Sequence, residues 1–215
     1  CGGCDQACIF RSTRRSDCQN AGPYLIMGII LEGADASGKS TLARLIAKST
    51  GRRLYLAGGK PKGDPQMWEM IDAQRQHSAA GHIVDRVSSI SQQVYREGLY
   101  MRDDLQSQIT ELVTPKSGEP GIVVYCRPPD NVLMNPTYHE WKDYDTEEWK
   151  QTILNNQADY VKRYDHLMSM TPCIVYDWTS PDSAHIRDML CSLAGDQTTV
   201  SFKLLRQMQM KGGVV

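Results

Sequence analysis

No apolar run in this chain approaches the roughly 20 residues that a membrane span needs, and no signal peptide is legible. With 24 basic against 25 acidic residues the formal net charge is −1. No global field therefore draws the protein onto nucleic acid or a membrane surface. The guanine-recognition pattern Asn-Lys-x-Asp does not occur. The seven cysteines are an odd set. Cys126, Cys173 and Cys191 lie in apolar stretches and read as buried thiols of a reducing compartment, so the expected location is cytoplasmic. A length of 215 residues suits one α/β domain with a small appendage.

Against these absences stands one dense motif. Residues Gly33, Ala34, Asp35, Ala36, Ser37, Gly38, Lys39, Ser40 and Thr41 contain Gly-x4-Gly-Lys-Ser without a mismatch to the phosphate-binding loop pattern. The preceding run, Gly28-Ile-Ile-Leu31, is apolar like a buried parallel strand, and Leu42, Leu45 and Ile46 follow at helical spacing. In that context backbone N–H groups and the positive end of the helix converge on phosphate oxygens. Lys39 places a charge on the β/γ-phosphates, and the Ser40 hydroxyl is a Mg²⁺ ligand. The expected ligand is a nucleoside triphosphate, ATP, with Mg²⁺.

Five short apolar runs, 29–32, 54–57, 82–85, 122–126 and 173–176, read as strands. Between and after them, 39–50, 66–80, 88–97, 102–113, 146–168 and 183–193 read as helices. The alternation predicts an α/β fold: a five-stranded parallel sheet with helices on both faces. Ligands then bind at the carboxyl ends of the strands. The first strand ends in the glycine loop, the second in the basic, glycine-rich stretch 57–63, the third in Asp85-Arg86, the fourth in Cys126-Arg127-Pro-Pro and the fifth in Tyr176-Asp177-Trp178. Strand ends are exposed and polar in any case, which accounts for one such ending more easily than for five.

At these residues the chain resembles the thymidylate kinase and deoxynucleoside kinase group of P-loop kinases, a fold of the nucleoside monophosphate kinase kind. Glu32-Gly33-x-Asp35-x-x-Gly38-Lys39-Ser40-Thr41 is similar to the thymidylate kinase form of the loop. Asp85-Arg86, followed by a small-residue helix containing Tyr95, resembles the group's Asp-Arg motif, and Gly58-Gly59 its acceptor-loop glycine pair. Val123 to Pro129 stands where the group has a strand ending in a proline pair. Similar short chains occur as phage-encoded kinases. The resemblance spans about residues 27–194 and implies a γ-phosphoryl transfer from ATP to a deoxynucleoside or deoxynucleotide. Two departures stand out. The lid segment, about 135–148, is acidic and holds no arginine, so Arg127, or Lys162 and Arg163, must supply the charge. Val87 follows the Asp-Arg pair where the group often has an aromatic residue or histidine.

The catalytic candidates are Lys39, Asp85, Arg86 and Arg127. Asp85 reads as a general base or as a Mg²⁺ partner of Ser40, against the plainer alternative of a helix N-cap. Arg86 suits an acceptor phosphate, and Asp35 an acceptor sugar. Trp141, Tyr144 and Trp149 either close over a base or pack the lid.

Residues 1–26 carry Cys1, Cys4, Cys8 and Cys18, with Arg11, Arg14 and Arg15 among them. Four thiolates suit Zn²⁺ or an iron–sulfur cluster, and the arginines suit phosphate backbones. Against this, Met27 stands where a kinase of the resembled group begins, which would make the stretch an extension. Residues 195–215 read as a tail. A second functional expectation follows: a kinase acting on a hydroxyl of a modified base, such as 5-hydroxymethyluracil, within DNA. A nucleotide-binding switch is a third. The partner is then a small nucleoside or nucleotide, or DNA; no membrane is expected, and a homodimer stays open.

Overall fold

The computed structural model describes residues 28–56, 64–95, 121–141 and 145–195. The chain runs β1 (Ile29–Glu32), α1 (Lys39–Thr50), β2 (Leu54–Leu56), α2 (Asp64–Ala79), β3 (Ile83–Asp85) and α3 (Ser88–Tyr95). Then come β4 (Ile122–Cys126), a single turn α4 (Asp130–Leu133), a 3-10 turn (Pro136–Tyr138), α5 (Glu147–Ser169), β5 (Ile174–Tyr176) and α6 (Ser183–Gly195). The strands form one sheet in the order β2-β3-β1-β4-β5. All four pairings are parallel, with Ile30 opposite Val84 on one side and Val123 on the other.

Alternation along the strands divides the core in two. Ile30, Val84, Val123 and Tyr125 point to one face and are covered by Val94 of α3 and by Ile153, Val161 and Tyr164 of α5. Ile29, Leu31, Ile83, Ile122 and Val124 point to the other and meet Leu42 and Ile46 of α1 and Leu190 of α6. A strand buried on both faces has no polar register to show, which is why the runs of β1, β3 and β4 are so apolar.

Local chemistry sets the element ends. The Thr146 side chain caps α5 by accepting from Trp149 N–H at 3.2 Å, with Glu147 and Glu148 in the first turn. α1 ends at Gly51, whose φ of 71° is left-handed. α3 is anchored from outside itself: Gln74 of α2 accepts from Ser88 N–H at 2.9 Å and donates to the Ser88 hydroxyl at 2.9 Å. Because α3 starts at Ser88, Asp85 lies too far upstream to cap it. The fifth and third strands begin one residue later than the apolar runs suggest, and α4 and the 3-10 turn lie in the stretch read only as the lid's beginning. The basic stretch 57–63, the helix expected over 102–113, Tyr144, the N-terminal cysteines and the 195–215 tail beyond its first residue lie outside the described residues.

Candidate phosphate and acceptor site

From β1 the next strand pairing runs to one side of the sheet, and from β4 to the other, so the two carboxyl ends border a topological crevice. The glycine loop fills it. Gly33, at φ 147°, has no room for a side chain: a Cβ there would stand 2.5 Å from the Cys126 carbonyl oxygen and 2.7 Å from Ser37 Oγ. Ala36 and Gly38 are also left-handed, at φ 64° and 81°. Gly38 enters α1 with no side-chain cap, and no acidic residue occupies the first turn. The first N–H groups of α1 are thus left for an anion. A Cβ on Gly38 would lie 2.8 Å from Trp178 Cδ1, so the indole that follows β5 rides on the start of α1. Tyr138 meets that indole edge-on at 5.7 Å, and both rings are partly exposed.

Lys39 folds back over the loop. Its Nζ donates to the Ala34 carbonyl at 3.0 Å and lies 3.8 Å from Asp35. Burial pulls its pKa down and Arg86 adds to this, while Asp35 and Asp85 oppose it. Arg86 comes from the end of β3 with a φ of 74°, rare for a residue with a side chain. Its Nη2 donates to Asp35 Oδ1 at 2.7 Å, and its guanidinium lies 5.2 Å from the Tyr95 ring centre. Burial alone would raise the Asp35 carboxyl, but Arg86 and Lys39 together hold it at about 2. Asp85 is buried, and its Oδ1 has no partner among the described residues.

Of the residues singled out in the sequence, Lys39, Asp35, Asp85 and Arg86 therefore converge on one edge. Arg127 is placed differently. It grips Asp165 of α5 through Nε at 2.8 Å and Nη2 at 3.1 Å, and Asp130 at 2.7 Å. Tyr125 donates to the same Asp165 oxygen at 2.7 Å. Its guanidinium is engaged as a brace between β4 and α5. Lys162 pairs with Asp159, and Arg163 donates to the Val94 carbonyl. Trp141 stacks on His139 at 5.0 Å, and Trp149 is exposed on α5.

Three further residues contribute in ways that a linear reading does not show. Gln157 of α5, 1% exposed, donates to the Asp35 carbonyl at 2.8 Å and to the Leu133 carbonyl at 3.3 Å. It ties the glycine loop to the segment after α4. Trp178 packs the loop as described. Glu32, the last residue of β1, is wholly buried beneath the loop and accepts from Val87 N–H. Burial raises its pKa to about 7 against the opposing pull of that hydrogen bond and of Arg86. Glu32 and Trp178 stood in the sequence at strand ends, whereas Gln157, on a polar helix far along the chain, carried no local signal.

Among the described residues no group of three or more His, Cys, Asp and Glu side chains could by itself hold a metal ion, and no helix is long and apolar enough to cross a membrane. Neither a protein-family model nor a curated protein matches the sequence. Solved structures do match in fold. The YorR protein of Bacillus subtilis, in complex with phosphorylated GDP, is 18% identical over 77% of this chain and 94% of its own, with a TM-score of 0.56. Deoxyadenosine kinase from M. mycoides with bound dATP is 17% identical over 78% and 99%, at 0.49. A gluconokinase from Sinorhizobium meliloti 1021 is 17% identical over 87% and 98%, at 0.46. At such identities the likeness to YorR is one of fold alone, that of a five-stranded parallel sheet with helices on both faces.

Proposed function

We propose that this chain is an ATP-dependent phosphotransferase that moves the γ-phosphoryl group to a hydroxyl of a deoxynucleoside or deoxynucleotide. One observation carries the reading: an uncapped helix start behind a complete glycine loop, with Lys39, Asp85 and Arg86 gathered at the same sheet edge. The fold likeness to YorR, which holds phosphorylated GDP, agrees with a nucleotide in this crevice.

The division of labour follows from charge and position. The loop N–H groups and Lys39 take the β- and γ-phosphates, where negative charge must be neutralised as the phosphoryl group transfers. The acceptor hydroxyl oxygen forms a bond to the γ-phosphorus, the bond from phosphorus to the β,γ-bridging oxygen breaks, and ADP leaves. Asp85 takes the hydroxyl proton. Arg86 and Asp35 orient the acceptor. The Trp178 indole and Tyr138 offer stacking surface beside the cradle for the donor's base. The donors present fit Mg²⁺: Ser40 stands in the first turn of α1, and Asp85 keeps a buried oxygen with no partner among the described residues. Magnesium, when bound, supplies further neutralisation of phosphate charge.

The deciding experiment incubates the protein with γ-labelled ATP and separate pools of nucleosides, nucleotides and DNA containing hydroxymethylated bases. Label in a nucleoside or nucleotide is the expected result. Label confined to DNA would move the acceptor from a free nucleotide to a polymer, and no label in any pool would overturn the kinase reading.

A further inference from the structure

Glu32 has no place in the phosphate chemistry, yet it sits at the centre of the site. It is an ionisable carboxyl buried at 0% exposure, at the end of the central strand. One of its oxygens accepts from Val87 N–H, and the other has no partner among the described residues. An unprotected buried carboxyl is costly, so its retention under the loop calls for a role.

The backbone beside it supplies one. Between β3 and α3 the chain has only Arg86 and Val87 with which to turn. The turn is pinned at both peptide groups from β1: Arg86 N–H donates to the Leu31 carbonyl at 2.9 Å, and Val87 N–H donates to the Glu32 carboxyl. Arg86 is held between them at φ 74°, a conformation unfavourable for an arginine unless its surroundings enforce it. That conformation directs its guanidinium onto Asp35 and the Tyr95 ring, with Nε buried.

Building on the kinase reading, we propose that Glu32 is a positioning residue: by accepting the Val87 N–H it locks the β3–α3 turn and so fixes Arg86 against Asp35 at the acceptor side. What matters in this role is the acceptor oxygen rather than the charge. Glutamine can replace it, whereas a side chain of similar size with no acceptor cannot.

The test compares Glu32→Gln with Glu32→Met, the latter filling the space with an apolar chain that keeps the strand packed. Glu32→Gln should retain wild-type turnover and slow solvent exchange of the Arg86 Nε–H signal in ¹⁵N NMR, that signal being assigned by its loss in Arg86→Lys. Glu32→Met should stay folded by circular dichroism, lose about tenfold or more in turnover, keep its KM for ATP, and show fast exchange at Arg86 Nε–H. In an Arg86→Ala background the same Glu32→Met change should cost nothing further in turnover. Wild-type turnover and slow exchange in Glu32→Met would overturn the proposal. So would equal damage in Glu32→Gln, or a full additional loss in the double variant. If the wild-type protein transfers phosphate to no acceptor, the functional reading fails by itself, and the exchange measurement still decides the role of Glu32.

Discussion

Lys39 and Glu32 are both buried ionisable groups at the base of one loop, and they respond differently to removal. Lys39 touches the loop's own Ala34 carbonyl and Asp35, so the apo loop loses one internal hydrogen bond when it goes. In the proposed reaction the triphosphate loses the lysine of the glycine loop. Lys39→Ala should lower phosphoryl transfer by on the order of 10²–10³ while the thermal unfolding profile stays cooperative; single-turnover transfer of labelled phosphate measures it. Glu32, besides positioning Arg86, bears on stability. Its native pKa, raised to about 7 by burial, lies above that of the unfolded chain, so between roughly pH 4.5 and 7 the native state holds a proton that the unfolded state has released. Stability then falls as pH rises through that window and levels off above it. Glu32→Gln removes this dependence. Relative to the wild type it should gain up to about 3 kcal/mol on going from pH 4.5 to pH 8, read from denaturant unfolding at the two pH values; a constant difference would place the Glu32 pKa near its ordinary value.

At the scale of elements, α5 is the part that joins the site to the rest of the sheet. Asp165 fastens it to β4 through Arg127 and Tyr125, and Gln157 reaches the Asp35 carbonyl from the same helix. Arg127→Ala should therefore show up chiefly as lost stability, about 1 kcal/mol given the partial exposure of Asp165, and in turnover it should cost less than Arg86→Ala. Arg127→Lys should not restore the loss, since an ammonium cannot make the two-pronged contact. Paired steady-state kinetics and urea unfolding settle this; a turnover loss exceeding that of Arg86→Ala would return Arg127 to the phosphoryl group. The same helix shows what a linear reading can and cannot reach. Its periodicity and Thr146 cap are local, and so were legible. The bond from Gln157 to Asp35 joins residues 122 apart, and that from Arg127 to Asp165 joins residues 38 apart. No spacing rule connects such positions, so Arg127 stood in the sequence as a free arginine at a strand end. α4 escaped because four residues show no helical period.

For the molecule as a whole, β1, β3 and β4 announced themselves because a strand buried on both faces must be continuously apolar, the rim strands as short apolar runs, and the glycine loop because its backbone demands specific residues. The order of the strands was not legible, since it depends on which edges pair. The N-terminal cysteines raise a question the sheet does not touch. If Cys1, Cys4, Cys8 and Cys18 hold metal, elemental analysis of the purified chain should find about one Zn²⁺ or one cluster per molecule. Removing residues 1–26 should then abolish that metal and spare transfer to a small acceptor; a full-length chain free of metal would reduce the segment to an extension.

β1 lies between β3 and β4, while β2 and β5, of three residues each, form the rims. In native-state hydrogen exchange the amides of Ile30 and Leu31 should be the slowest of the sheet, and those of Leu56 and Val175 should open well before them. Equal rates across the sheet would contradict this ordering. A rim can then fray and re-form many times while the central strand stays shut. The glycine loop hangs from the part of the protein that is last to open, so the proposed seat for the triphosphate keeps its shape through most of the breathing around it.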